Sequence, residues 1–248
     1  MWQLTTSLLG FLAHRAFAHG GALNYTVGDT WYPGWDINGG SDQIDAPWLV
    51  QRSWTDTNPI FETTNASLAC NTPGAPAKAY IPIRAGSNLT AVYGPWVHTV
   101  GPMLVWLASC GSDCRTVEPD KLQWFKIAEE GLLYGTVTEG EWFQRAFVRW
   151  DGGMSLWSER IPEGLRAGKY LVRHEIISLH SENKPQFYPE CANLEVEGSG
   201  DSYPSGEYMA KIPGVWSMDQ PEININIYTP ENMNRTTYKI PGPPVWRG

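Results

Sequence analysis

The chain has 248 residues, with 18 Lys and Arg against 26 Asp and Glu, a formal net charge of −8. That acidic balance argues against nucleic acid as a partner, because such binding rests on clustered cations. Glycine (25 residues) and proline (19 residues) are too dense for long helices and favour short strands joined by shaped loops.

The chain opens on an apolar stretch from Leu8 to Leu12, followed by Ala16-Phe17-Ala18, the small-x-small form of a signal peptidase site. Cleavage after Ala18 removes residues 1–18 as a signal peptide and leaves 248 − 18 = 230 residues beginning at His19. Loss of Arg15 gives 17 basic against 26 acidic residues, a net of −9. A free α-amino group and an imidazole on one residue can chelate a metal, and nitrogen-rich tetragonal sites favour Cu(II). No other apolar run approaches transmembrane length, so the expectation is a secreted, extracellular protein with no membrane partner.

Residues 30–54 read as a loop dense in rings: Trp31, Tyr32, Trp35, Trp48 and Trp54. Such rings either pack over a core or stack on sugar faces. Residues 79–83 and 89–93 read as strands around the turn Arg84-Ala85-Gly86-Ser87. Residues 102–107 form an apolar run of strand length, and residues 122–127 alternate weakly. Residues 170–177 are β-branched and aromatic. Ala192, Leu194 and Val196 alternate with Asn193, Glu195 and Glu197, and residues 223–228 alternate in the same way. Residues 203–216 form a second loop with Tyr203, Tyr208 and Trp216. No helix longer than two turns and no internal repeat is predicted. The sum is an all-β fold, an antiparallel β-sandwich, with 19–248 as a single domain and no separate carbohydrate-binding module.

Cys70, Cys110, Cys114 and Cys191 survive the cut, and in an oxidising compartment they form two disulfides in one of three connectivities. Glycosylation sequons begin at Asn24, Asn65, Asn88 and Asn234. His98 lies in a loop shaped by Gly94, Pro95, Gly101 and Pro102, and with His19 it would complete three nitrogens in a T. His174 and His180 have the even spacing that puts two side chains on one face of a strand. Gln186 and Tyr188 share a face for the same reason. A tyrosine oxygen suits a weak axial position at copper, and Gln186 and His180 could bond a bound oxygen species. The chain has no Gly-x-Ser-x-Gly elbow, no phosphate loop and no His-Glu-x-x-His helix.

Several stretches together resemble the fungal lytic polysaccharide monooxygenases of auxiliary activity family 9, formerly glycoside hydrolase family 61. They are His19-Gly20, His98-x-x-Gly101-Pro102, and Cys110 to Cys114 followed by Trp124-Phe125-Lys126-Ile127. They continue with Arg173-His174-Glu175-Ile176-Ile177-x-Leu179-His180, Gln186-Phe187-Tyr188-x-x-Cys191, and Tyr238-Lys239-Ile240-Pro241-Gly242-Pro243-Pro244-Val245-Trp246. The resemblance implies an immunoglobulin/fibronectin-III-like sandwich with long loops. It implies one copper ion held by His19, His98 and an axial Tyr188, with His180 and Gln186 positioning the oxygen species. It further implies the disulfides Cys70–Cys191 and Cys110–Cys114, and a flat face on which Trp216 stacks on substrate, with aromatics of residues 30–54 as candidates to extend it. The implied partners are cellulose or a related β-1,4-glucan cut at C1 or C4, dioxygen or hydrogen peroxide, and an external electron donor. That donor would be a small reductant or cellobiose dehydrogenase, and the enzyme itself a monomer. The competing readings are a secreted, non-catalytic copper- or glycan-binding sandwich and a hydrolase working through paired carboxylates.

Overall fold

The computed structural model describes residues 20–248. Residues 1–18, the expected signal peptide, and His19 lie outside the described residues. The strands are β1 (Ala22–Val27), β2 (Thr30–Pro33), β3 (Ile81–Arg84), β4 (Asn88–Tyr93), β5 (Met103–Ser109) and β6 (Gln123–Glu130). They continue with β7 (Leu132–Tyr134), β8 (Glu141–Trp142), β9 (Ser155–Arg160), β10 (Gly168–Ser178), β11 (Gln186–Glu197) and β12 (Met209–Lys211). Among the described residues a single α-helical turn, α1, spans Pro230–Asn234.

Two sheets face each other, one ordered β2-β1-β4-β9 and the other β12-β6-β5-β10-β11-β3, with β7 and β8 forming a small separate hairpin. The expected β-sandwich is therefore present. Among these strands every pairing is antiparallel except β3 on β11, which is parallel, so the fold departs from a purely antiparallel one at that edge. β1, β2 and β9 were not anticipated. β9 has a two-residue burial period, with Ser155, Trp157 and Glu159 inward and Leu156, Ser158 and Arg160 outward.

β10 explains why the molecule has two apolar layers. Tyr170, Val172 and Ile176 enter the core between the sheets, while Leu171 and Ile177 face the other way. That outer face is covered by residues from the long loops and the tail, including Leu68, Trp216, Ile223, Ile225 and Ile227. The predicted strand at residues 223–228 is not one. These residues form turns, and their alternation records three isoleucines set down on β10's outer face without a backbone ladder. The tail continues as a strap: Tyr238 Oη donates to the Glu222 carbonyl (2.8 Å), and the buried Lys126 ammonium donates to the Pro241 carbonyl (3.0 Å).

Both disulfides implied by the resemblance are present, Cys70–Cys191 with Cα atoms 5.2 Å apart and Cys110–Cys114 at 4.9 Å. Beside the first, the fully buried Arg173 guanidinium forks onto Glu175 with two 2.6 Å bonds and also donates to the Leu68 and Ala69 carbonyls. The pair thus fastens the residue 66–70 turn to β10. Of the sequon asparagines, Asn65, Asn88 and Asn234 are exposed. Asn24 is half-buried in β1, and its Oδ1 accepts from Gly34 N–H (3.2 Å).

Removing one partner of a buried ion pair leaves a charge without compensation. Glu175→Ala should therefore lower unfolding stability by about 3–5 kcal/mol in a denaturant titration.

Candidate metal centre

One end of the sandwich gathers the functional side chains. β1 and β11 begin there, and β4 and β10 end there, as their registers require. His98 follows the end of β4 by five residues, His180 follows the end of β10 by two, and Gln186 and Tyr188 open β11. Two backbone bonds zip the His98 loop to the exit of β10: Ile177 N–H to the Pro102 carbonyl (3.0 Å) and Leu179 N–H to the Val100 carbonyl (2.9 Å). Gly101, at φ 130°, passes so close to the Ile177 carbonyl that any Cβ would run into it, which is why glycine stands there.

The result is an imidazole pair beside a phenol. The His98 and His180 rings stack with centroids 4.0 Å apart and planes 11° from parallel. Tyr188 Oη lies 3.4 Å from His98 Nε2 and donates to Gln186 Oε1 at 2.7 Å. Trp96 stands edge-on to both His98 (5.1 Å) and Tyr188 (4.8 Å). Its indole N–H donates to Gln144 Oε1 (3.2 Å), whose amide in turn donates to the Gly101 carbonyl (2.6 Å). Ser178 Oγ meets His180 Nδ1 at 2.7 Å, fixing the ring's direction. Burial, and then the Glu190 carboxylate, push the Tyr188 phenol well above its ordinary range, so it remains protonated.

The expected residues His98, His180, Gln186 and Tyr188 are thus brought together. His19 lies outside the described residues. Gly20 and Gly21 run directly into this end: a Cβ on Gly20 would strike the Pro95 carbonyl, one on Gly21 the Glu190 carboxylate, and the Gly21 carbonyl accepts from Gly94 N–H (3.1 Å). No group of three or more His, Cys, Asp or Glu placed to hold a metal ion exists among the described residues. Among the described residues this corner offers the imidazoles of His98 and His180 and the phenol of Tyr188. An imidazole and a neutral phenol ending at the same corner fit copper, which accepts imidazole with a weak axial oxygen.

His174 takes no part in this corner: it is fully buried between the sheets, 2.7 Å from Glu159 Oε1, while His180 lies past the strand's end. Trp216 is not a surface ring. It is 2% exposed, donates to Glu175 Oε1 (3.2 Å) and packs on Trp106 and Phe187, because the outer face of β10 must be covered. Among the rings of residues 30–54, Trp54 is buried, Trp31 pairs with Thr26 near the opposite end of β1, and the exposed Trp48 leads into the segment where Val50 runs beside Asn193. The half-buried Trp35 stays near the start of β1: its N–H donates to Gln51, whose amide donates to the Ala22 carbonyl, and its indole donates to the Trp54 carbonyl. The exposed ring at the rim is Tyr228, 46% exposed, whose hydroxyl donates to the His180 carbonyl (2.9 Å). Its signal was legible: if Ile223, Ile225 and Ile227 point inward, Tyr228 points out.

The sequence profile of Auxiliary Activity family 9 (formerly GH61) matches residues 19–238. The chain belongs to auxiliary activity family 9. It is 42% identical over 244 residues to the AA9 family lytic polysaccharide monooxygenase B of Heterobasidion irregulare, covering 97% of this chain and 96% of that one. It is 38% identical over 251 residues to monooxygenase D of Thermothelomyces thermophilus, covering 98% and 94%. The crystal structure of HiLPMO9B superposes with a TM-score of 0.82 at 42% identity, covering 93% of this chain and all of that one. A cellulose-active polysaccharide monooxygenase from M. thermophila gives 0.84 at 38% identity with the same coverage. Membership makes the protein a copper-dependent oxidoreductase that cleaves polysaccharide oxidatively.

Tyr188→Phe removes the donor to Gln186 and leaves a part-buried amide oxygen unpaired. Thermal or denaturant unfolding should show a loss of about 1–2 kcal/mol.

Proposed function

We propose that the protein cuts the β-1,4-glucan chains of cellulose by oxidation at C1 or C4, using one copper ion. The ion would be held by the amino group and imidazole of His19, the imidazole of His98 and the phenol of Tyr188. The observation that carries this reading is the meeting of His98, Tyr188, His180 and Gln186 at the corner into which Gly20 leads. The name of the similar M. thermophila enzyme, cellulose-active, supports the substrate class.

Bound copper supplies one-electron chemistry toward dioxygen or hydrogen peroxide. The side chains do the rest. Trp96 clamps His98 and Tyr188 at right angles and is itself held by Gln144. Gln186 holds the Tyr188 hydroxyl, and Ser178 orients the His180 ring, so an amide and an imidazole capable of proton exchange stand beside the metal ligands. Stacking His180 over His98 removes water from one side of the pair. A site at the end of a sandwich suits an insoluble surface, with no need to extract a chain into a cleft. Electrons come from outside, from a small phenolic reductant or a cellobiose dehydrogenase. The protein acts extracellularly as a monomer, after loss of residues 1–18.

Copper-loaded secreted protein, given ascorbate and amorphous cellulose, should release oxidised oligosaccharides in mass spectra, and a chelator should abolish them. Unoxidised sugars that survive the chelator would return the hydrolase reading. Tight copper binding without products would favour a non-catalytic copper protein. His98→Ala should lower product release by at least about 100-fold, the scale on which a lost metal ligand acts.

A further inference from the structure

Trp150 is 85% exposed, the most exposed large apolar side chain among the described residues. Isolated exposure of a ring needs no explanation, but this ring has apolar company and a built support. Met154 and Leu156, just beyond it, are 48% and 64% exposed. The turn that carries them is cross-braced. Arg149 forks onto Asp151 (3.0 and 2.7 Å) and reaches the Met154 carbonyl (3.2 Å), while Gly153 N–H donates to Asp151 Oδ1 (2.9 Å). Gly152, at φ 71°, makes the bend.

The position of this turn is fixed against the metal centre. It leads into β9, whose first residue, Ser155, pairs with Tyr93 at the end of β4, so it emerges at the same end as His98. Val148, two residues before the ring, forms a bridge with Trp96, the residue that clamps His98 and Tyr188. Trp150 is thus joined by one inter-strand step of about 5 Å and at most about 7 Å of chain to the wall of the site. Another exposed tryptophan, Trp31 in β2, lies near the opposite end of β1.

We propose that Trp150 is a carbohydrate platform that stacks on a pyranose ring of the glucan away from the cut bond, and so sets affinity for long or crystalline chains. This rests on the polysaccharide reading above. A pyranose presents flat C–H faces that match an indole, and a pre-braced ring loses little freedom on binding. The two charges at the base of the turn are bonded to each other, which suits a neutral ligand rather than an ionic one.

The test is adsorption of the protein to microcrystalline cellulose, read by depletion from solution, which needs no turnover. Trp150→Ala should bind about fivefold more weakly than wild type, whereas Trp150→Tyr should stay within about twofold. Trp31→Ala should bind as wild type does. Equal thermal midpoints for the variants exclude a folding defect, since neither ring is buried. Adsorption of Trp150→Ala equal to wild type, or a wild type that does not adsorb, would overturn the proposal. So would a Trp150→Ala change confined to the sedimentation coefficient, which would make the ring a contact between copies of the chain. Failure of the oxidative reading would appear separately, as a wild type that adsorbs through Trp150 but releases no oxidised sugars.

Discussion

The site depends above all on the register between β10 and β11. Eleven paired positions, from Gly168 opposite Val196 to Ser178 opposite Gln186, fix where each strand leaves and enters the sheet. A slip of one residue would turn every side chain of β11 to the other face, taking Tyr188 away from His98. The register is held from both sides. Arg173, opposite Cys191, is tied to Glu175 and to the residue 66–70 turn, and Cys191 is tied to that turn by the disulfide with Cys70.

That constraint also accounts for the second apolar layer. A strand buried on both faces requires cover, and the chain supplies it with Trp216 and the isoleucines of residues 223–227. The cover then delivers Tyr228 to the rim, where its hydroxyl meets the His180 carbonyl. Between the sheets the same strand carries His174, paired with Glu159 and ringed by Tyr25, Tyr93 and Trp157. One strand therefore organises the inner core, the outer cover and one wall of the metal centre.

Much of this was legible in the sequence, for stated reasons. β4, β5 and the central strands β10 and β11 announced themselves by β-branched and aromatic runs, and the order of the motifs named the family and its disulfides. What was not legible followed from burial that composition cannot reveal. Arg173 and Glu175 look like surface charges until each is found to satisfy the other. Trp216 looks like a surface ring because its segment is rich in glycine and proline, yet it faces inward. Residues 223–228 alternate like a strand because one side is buried, although no partner strand bonds them. Trp150 gave no signal, since only the pairing of β9 with β4 shows at which end its turn emerges.

The central claim is that the metal centre is completed by a free amino-terminal His19 beside His98 and Tyr188. Calorimetric titration of Cu(II) into protein beginning at His19, and into protein carrying one extra residue before it, tests this most directly. The account predicts one equivalent bound tightly by the first and an affinity lower by at least about 100-fold in the second, because two of the nitrogens lose their shared chelate ring. Equal affinity in the two proteins would contradict it.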